Sequence, residues 1–163
     1  MMKAAAVLTF LILGCCAMAA QPISFQQFPA GDSIHVKFTS SGCFHYYTYE
    51  FDFHRAVRVT ATMARVGPPE GERGKQREEG ERTIIGKVAL SQDEIAGLDR
   101  LLTFYRSGHR GGCTTVDKIV VTQMSGGKAI ASESFTDASC ATYEAAKLTT
   151  FPRLAAKLRS GAK

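Results

Sequence analysis

The chain has 163 residues, 45% of them hydrophobic and 21% charged, with 20 Lys and Arg against 15 Asp and Glu. These proportions are those of a globular protein and exclude disordered and fibrous chains. The length excludes a TIM barrel, which takes about 250 residues, and no strand-helix alternation long enough for a Rossmann domain is present.

In chain order, Lys3 supplies a positive charge, residues 4–14 form an apolar run of eleven broken only by Thr9, and Ala17-Met18-Ala19 has the small-x-small form of a cleavage site. Residues 1–20 therefore read as a secretory signal. Eleven residues at about 1.5 Å each fall short of the about 30 Å of hydrocarbon that a membrane helix must cross. A competing reading is a lipoprotein signal ending before Cys15, because Ile12-Leu13-Gly14-Cys15 resembles a lipobox, with Leu13 where Ala or Ser is usual. Cys15 would then carry the lipid and hold the protein at a membrane. Both routes place residues 21–163, a single α+β domain, outside the cytoplasm, in the periplasm or beyond the cell.

Thiols tend to pair in such compartments. Beyond Cys15 and Cys16, only Cys43, Cys113 and Cys140 remain, so one of the three is odd. Residues 114–124 and 129–137 read as a β-hairpin turning on Gly126-Gly127, a dipeptide suited to a two-residue turn. Such a turn pairs residues whose numbers sum to 253, and Cys113 and Cys140 satisfy that sum. A disulfide is expected there, worth roughly 3 kcal/mol by closing the loop. Cys43 is then read as a buried small apolar residue, or as the partner of Cys16 if cleavage before Cys15 retains it.

After a flexible start containing Pro22 and Pro29, Ile34, Val36 and Phe38 alternate with polar residues as in a half-buried strand, ended by Ser40-Ser41-Gly42. Residues 43–53 form the next strand, with Tyr47, Tyr49, Phe51 and Phe53 beside His45 on one face. Phe44, Tyr46, Thr48, Glu50, Asp52 and His54 take the other. Val57, Val59, Ala61 and Met63 continue the pattern in a third strand. Residues 67–82 hold four positive and five negative charges and no aliphatic or aromatic side chain, which predicts a solvated, flexible loop. A fourth strand follows, with Ile84, Gly86, Val88 and Leu90 inward.

Ser91-Gln92-Asp93-Glu94 has the form of a capping box, with Leu90 and Ile95 as its hydrophobic staple. The helix it starts carries Ile95, Leu98, Leu101, Leu102 and Tyr105 on one face and ends near Gly108. Gly97 inside it points to a close approach to the sheet. After the Cys113 hairpin, Phe151, Leu154 and Leu158 form a last helical stripe, with Thr150 as N-cap and Pro152 in the first turn. The expected fold is an antiparallel sheet of about six strands, with one main helix packed on one face and a short C-terminal helix.

Glu50, Asp52 and His54 project from one side of one strand, and two carboxylates with an imidazole can ligate Zn or Mn. Ordinary solvent-face polarity explains the same residues, and no metal-binding motif supports them. Residues 107–113 place Ser107, His109 and Cys113 close in sequence, but without a nucleophile-elbow pattern, and Cys113 is claimed by the disulfide. Arg106, His109 and Arg110 make a basic loop at the negative end of the helix, the wrong end for a preformed anion site. Tyr46, on the face opposite the aromatic core row, is a candidate partner contact, as are His109 and Arg110. From Gln21 onward the net charge is +4 with no concentrated Lys/Arg tract, so nucleic acid is not the expected partner.

No catalytic constellation stands above its structural explanation and no cofactor motif appears. The sequence therefore reads as a non-catalytic exported binding or inhibitory module for a protein or cell-envelope polymer. The alternatives are a small metal-dependent hydrolase using Glu50, Asp52 and His54, and a structural envelope lipoprotein. Mass spectrometry of the native mature protein is expected to find Ala20 or Gln21 at the N-terminus; a diacylated Cys15 would replace the secretory reading with the lipoprotein one.

Overall fold

A computed structural model describes residues 21–43, 45–66, 82–108, 111–140 and 149–161. Residues 1–20, which the sequence reads as a secretory signal and which include Cys15 and Cys16, most of the charged stretch 67–82, Phe44, His109 and Arg110 lie outside the described residues. Six strands, β1 (Ser33–Ser41), β2 (Tyr46–Arg55), β3 (Val59–Val66), β4 (Arg82–Ala89), β5 (Val116–Ser125) and β6 (Lys128–Asp137), form one sheet in the order β4-β3-β2-β1-β5-β6. Every neighbouring pair is antiparallel. Among the described residues two helices, α1 (Gln92–Arg106) and α2 (Phe151–Ser160), accompany the sheet in this α+β fold.

Alternation decides the two faces. Ile34, Val36 and Phe38 lie opposite Phe53, Phe51 and Tyr49 in the β1–β2 register, and all six are buried. Ile95, Leu98, Leu101 and Leu102 of α1, with Phe151, Leu154 and Leu158 of α2, join them in one core cluster. Phe151 sits with its ring centroid 5.7 Å from Phe38 and 5.4 Å from Phe51, so α2 is anchored over the centre of the sheet. Both helices start as their sequences require. Ser91 accepts from the Glu94 amide and Glu94 reaches back to the Ser91 amide, while Thr150 accepts from the Arg153 amide. None of the described helices is long and apolar enough to cross a membrane.

Several local expectations are corrected. The first strand ends within Ser40-Ser41-Gly42 but includes both serines: Ser41 faces Tyr46, and Gly42 N–H donates to the His45 carbonyl at 2.9 Å. Ser40 can stay in a strand because its hydroxyl finds a partner in β5, removing the local competition that makes serine a turn former. Cys43, at this tip, is exposed and free rather than buried. In β4, a bulge leaves Ile85 without a partner between Gly86, which faces Met63, and Ile84, which faces Ala64. That extra residue reverses the parity, so Ile85 packs on the core and Ile84 is 65% exposed.

The β5–β6 turn forms on Gly126 and Gly127, both with positive φ (55° and 78°), as a two-residue hairpin requires. The register summing to 253 holds only for Ser125↔Lys128 and Met124↔Ala129; a bulge then shifts the ladder by one, pairing Gln123 with Ala131 and Asp117 with Asp137. Cys113 and Cys140 lie beyond the ladder, yet their Cα atoms are 5.8 Å apart, at disulfide distance. The Cys113 amide donating to the Ala138 carbonyl at 2.9 Å, not the hairpin register, brings them together.

The start of the domain is docked rather than flexible. Ile23, Phe25 and Phe28 are buried, and Asp99 of α1 accepts from the Phe25 amide at 2.6 Å and the Ser24 hydroxyl at 2.8 Å. Arg55 donates to the Phe25 carbonyl at 2.7 Å and stacks over the Phe28 ring. Arg106 bridges the Ile23 carbonyl and Glu133, whose carboxylate also accepts from the Ile23 amide. Burial pushes the Glu133 carboxyl upward, but Arg106 and that amide outweigh it and hold its pKa below the ordinary value.

Two glycines mark close approaches. Gly97 abuts Thr149, ahead of α2, and not the sheet: a Cβ there would lie 2.4 Å from the Thr149 hydroxyl oxygen. A Cβ on Gly86 would meet the Leu158 carbonyl oxygen at 2.3 Å, a backbone atom that cannot rotate away. Gly86→Ala is therefore expected to lose about 1–3 kcal/mol of stability in chemical denaturation. Gly112→Ala, with no atom within 4 Å of the new Cβ, serves as control and should stay within about 0.5 kcal/mol.

Candidate functional site

The sheet face turned away from the core cluster carries a polar network spanning three strands. Glu50 and Asp52 project there from β2, as their spacing predicts. Across the strands they meet two residues that the sequence does not connect with them, His35 of β1, directly opposite Asp52, and Arg82 of β4. His35 Nδ1 donates to Asp52 Oδ1 at 2.8 Å, Arg82 Nη2 donates to Asp52 Oδ2 at 2.5 Å, and Arg82 Nε donates to Glu50 Oε2 at 3.1 Å. His54 lies on the same face, opposite Ser33 and Thr60, and is exposed.

Both carboxylates of the Glu50, Asp52 and His54 trio are thus engaged, by His35 from the adjacent β1 and by the Arg82 guanidinium from β4, two strands away. Among the described residues no group of three His, Cys, Asp or Glu is placed to hold a metal ion. The hydrogen bond to Asp52 raises the His35 pKa against the opposing effect of burial, with the charges of Asp52 and Glu50 adding to it. In return, the His35 hydrogen bond lowers the Asp52 pKa, burial opposes it, and Arg82 reinforces it. An imidazole held at Nδ1 by a carboxylate has its Nε2 fixed in direction, but no nucleophile is bonded to that nitrogen in the described contacts.

A second network lies inside the sheet's disulfide end. Ser40 Oγ donates to Asp117 Oδ1 at 2.6 Å and sits 3.0 Å from His45 Nε2. Ser40 and Asp117 are buried, and Asp117 faces Asp137 of β6. Asp137 Oδ1 accepts from the Ser139 amide at 2.9 Å and the Ser139 hydroxyl at 2.5 Å. Burial raises the Asp117 pKa; the Ser40 hydrogen bond works against this, the Asp137 charge adds to it, and the His45 charge opposes it.

The three residue types are those of a hydrolytic triad, but their order is not. Nucleophilic serine catalysis needs histidine between serine and carboxylate, so that the imidazole takes the hydroxyl proton. Here the serine stands in the middle, donates a hydrogen bond to the carboxylate and is shut off from solvent. The arrangement locks β1 to β5 through a buried, hydrogen-bonded carboxylate. Nothing in the local sequence of Ser40, His45 or Asp117 signals it, because the three come together only through the β1–β2 turn and the β1–β5 pairing.

Around this lock gather the Cys113–Cys140 pair, the Cys43 turn and Tyr46, which is 47% exposed. Tyr46 opposes Ser41 at the start of β2. Of the three candidate contact residues only Tyr46 can be placed, since His109 and Arg110 lie outside the described residues.

The His35–Asp52 contact makes stability depend on pH in two windows. The raised His35 pKa contributes stability that is complete below its ordinary value of 6.5 and lost as pH rises through the folded-state value. The lowered Asp52 pKa contributes stability present above 3.8 and lost as pH falls through the folded-state value. In urea titrations from acid to mildly alkaline pH, His35→Gln is expected to flatten the decline above 6.5. An unchanged profile would mean that the contact is not made in solution. Compared with family models, with curated proteins and with solved structures, the chain matches none, so the functional reading rests on its own residues.

Proposed function

We propose that this protein is an exported, non-catalytic binding or inhibitory module that engages a protein partner through the disulfide end of its sheet, with Tyr46 as the central contact. The observation that carries the reading is an exposed tyrosine at an end of the sheet that several long-range contacts hold together. The buried Ser40–Asp117 bond, the Cys113–Cys140 pair and the Gly42–His45 turn all converge on it. A rigid support lets a large amphipathic side chain bind without first losing conformational freedom, and tyrosine is enriched among residues that dominate interface energies. Export is supported by the apolar leader and by the placement of two cysteines at bonding distance, which an oxidising compartment would join.

The metal-hydrolase alternative draws no support from the geometry, since Arg82 and His35 neutralise the carboxylates it would use. Native protein immobilised against envelope extract, with bound material identified by mass spectrometry, tests the proposal. Tyr46→Ala is expected to weaken a captured partner by tenfold or more, about 1.4 kcal/mol or above. If neither Tyr46→Ala nor a His109→Ala/Arg110→Ala variant changes any interaction, this end of the sheet is not the binding surface.

A further inference from the structure

The sheet face bearing His35 and Asp52 also carries Tyr46, at the start of β2, but away from that end its chemistry is polar and cationic. Across its described strand positions it presents Lys37, Lys87, Lys118 and Arg82 against only two acids, Glu50 and Asp52. Both acids are already engaged, by Arg82 and His35. Lys37, Lys87 and Lys118 are exposed and have no hydrogen-bond or ion-pair partner among the described residues. Lys37 faces Val120 and Lys118 faces Thr39 in the β1–β5 register, which sets the two lysines diagonally, about 7–8 Å apart at the backbone. Lys87 stands three strands away on β4, opposite Thr62.

Between these cations the face is paved with hydroxyls. Thr39 and Thr48 meet at 3.0 Å across β1 and β2, and Thr122 and Ser132 at 3.3 Å across β5 and β6. A protein interface would need an apolar, aromatic centre. Here the exposed large apolar side chains, Tyr46 at the start of β2, Ile84 on β4 and Val120 on β5, with Ile130 at the β6 bulge, are spread across the sheet rather than gathered at a centre. Reading duplex DNA calls for a helix or ribbon projecting into a groove, and the face is built from side chains of the sheet itself.

We propose that this face binds an acidic polysaccharide, whose carboxylate or sulfate groups are held by Lys37, Lys87 and Lys118 and whose sugar hydroxyls pair with the threonine and serine rows. The proposal shares with the preceding reading the placement of the domain outside the cytoplasm, and it rests on the lysines and hydroxyls of the face and not on Tyr46, which stands at the edge of the same face. Unpaired lysines beside neutralised acids leave a positive potential that attracts a polyanion. A flat array of hydroxyls suits an extended chain of sugars better than a compact ligand.

The test titrates the native protein with dextran sulfate, polygalacturonate, neutral dextran and duplex DNA. Both acidic polysaccharides are expected to bind and neutral dextran not to bind, with affinity falling roughly tenfold or more between about 50 and about 200 mM salt as bound counterions are released. The triple variant Lys37→Gln/Lys87→Gln/Lys118→Gln is expected to lose at least tenfold in affinity while keeping the native thermal midpoint, since exposed lysines contribute little to stability. Tyr46→Ala is expected to bind the polysaccharides as the native protein does, so failure of the lysine contacts is told apart from failure of the Tyr46 contact. Binding retained by the triple variant, equal binding of neutral dextran, or tighter binding of duplex DNA would each overturn the proposal.

Discussion

The alternation of side chains along β1 and β2, held in one register from Ser33↔His54 to Ser41↔Tyr46, governs the rest of the molecule. Because successive residues of a strand point to opposite faces, burying Val36, Phe38, Tyr49 and Phe51 under the helices commits His35, Lys37, Glu50 and Asp52 to the other side. A slip of one residue would bury two acids and expose the aromatic row. Phe151, seated between Phe38 and Phe51, ties the last helix to this register.

Charge is used differently in the three places where it clusters. Near the start of the domain, Asp99, Arg55, Arg106 and Glu133 fasten residues that lack regular structure, taking up backbone groups that no ladder satisfies. At the disulfide end, burial and a second aspartate facing it raise the Asp117 pKa against the serine donor that works the other way. On the open face, Asp52 and Glu50 are shared among His35 and Arg82 near solvent, where such pairs are weak in stability but strong in setting which charges remain available.

Features encoded within a few consecutive residues were legible. The Ser91–Glu94 capping box, the Thr150 cap, the Gly126-Gly127 turn and the helical leucine stripe depend on contacts inside a turn or two of chain. The docking of Ile23, Phe25 and Phe28 left no such mark, because three apolar residues without a period look like a loop until Asp99 and Arg55 supply partners. Bulges at β4 and β6 were equally hidden. Each inserts one residue into an otherwise regular pattern, so Ile84, placed inward by its spacing, faces water, and the cysteines meet without continuing the ladder.

By itself the sequence determined the composition of the elements, the polarity of each strand face and the residue types available for chemistry, since propensity, capping and alternation act over short stretches. Only the tertiary structure decided which of those residues meet. Arg82 reaches Asp52 from 30 residues away and Ser40 reaches Asp117 from 77. Such pairings follow from strand order and register, and many registers are compatible with the same local pattern until one core closes over the sheet.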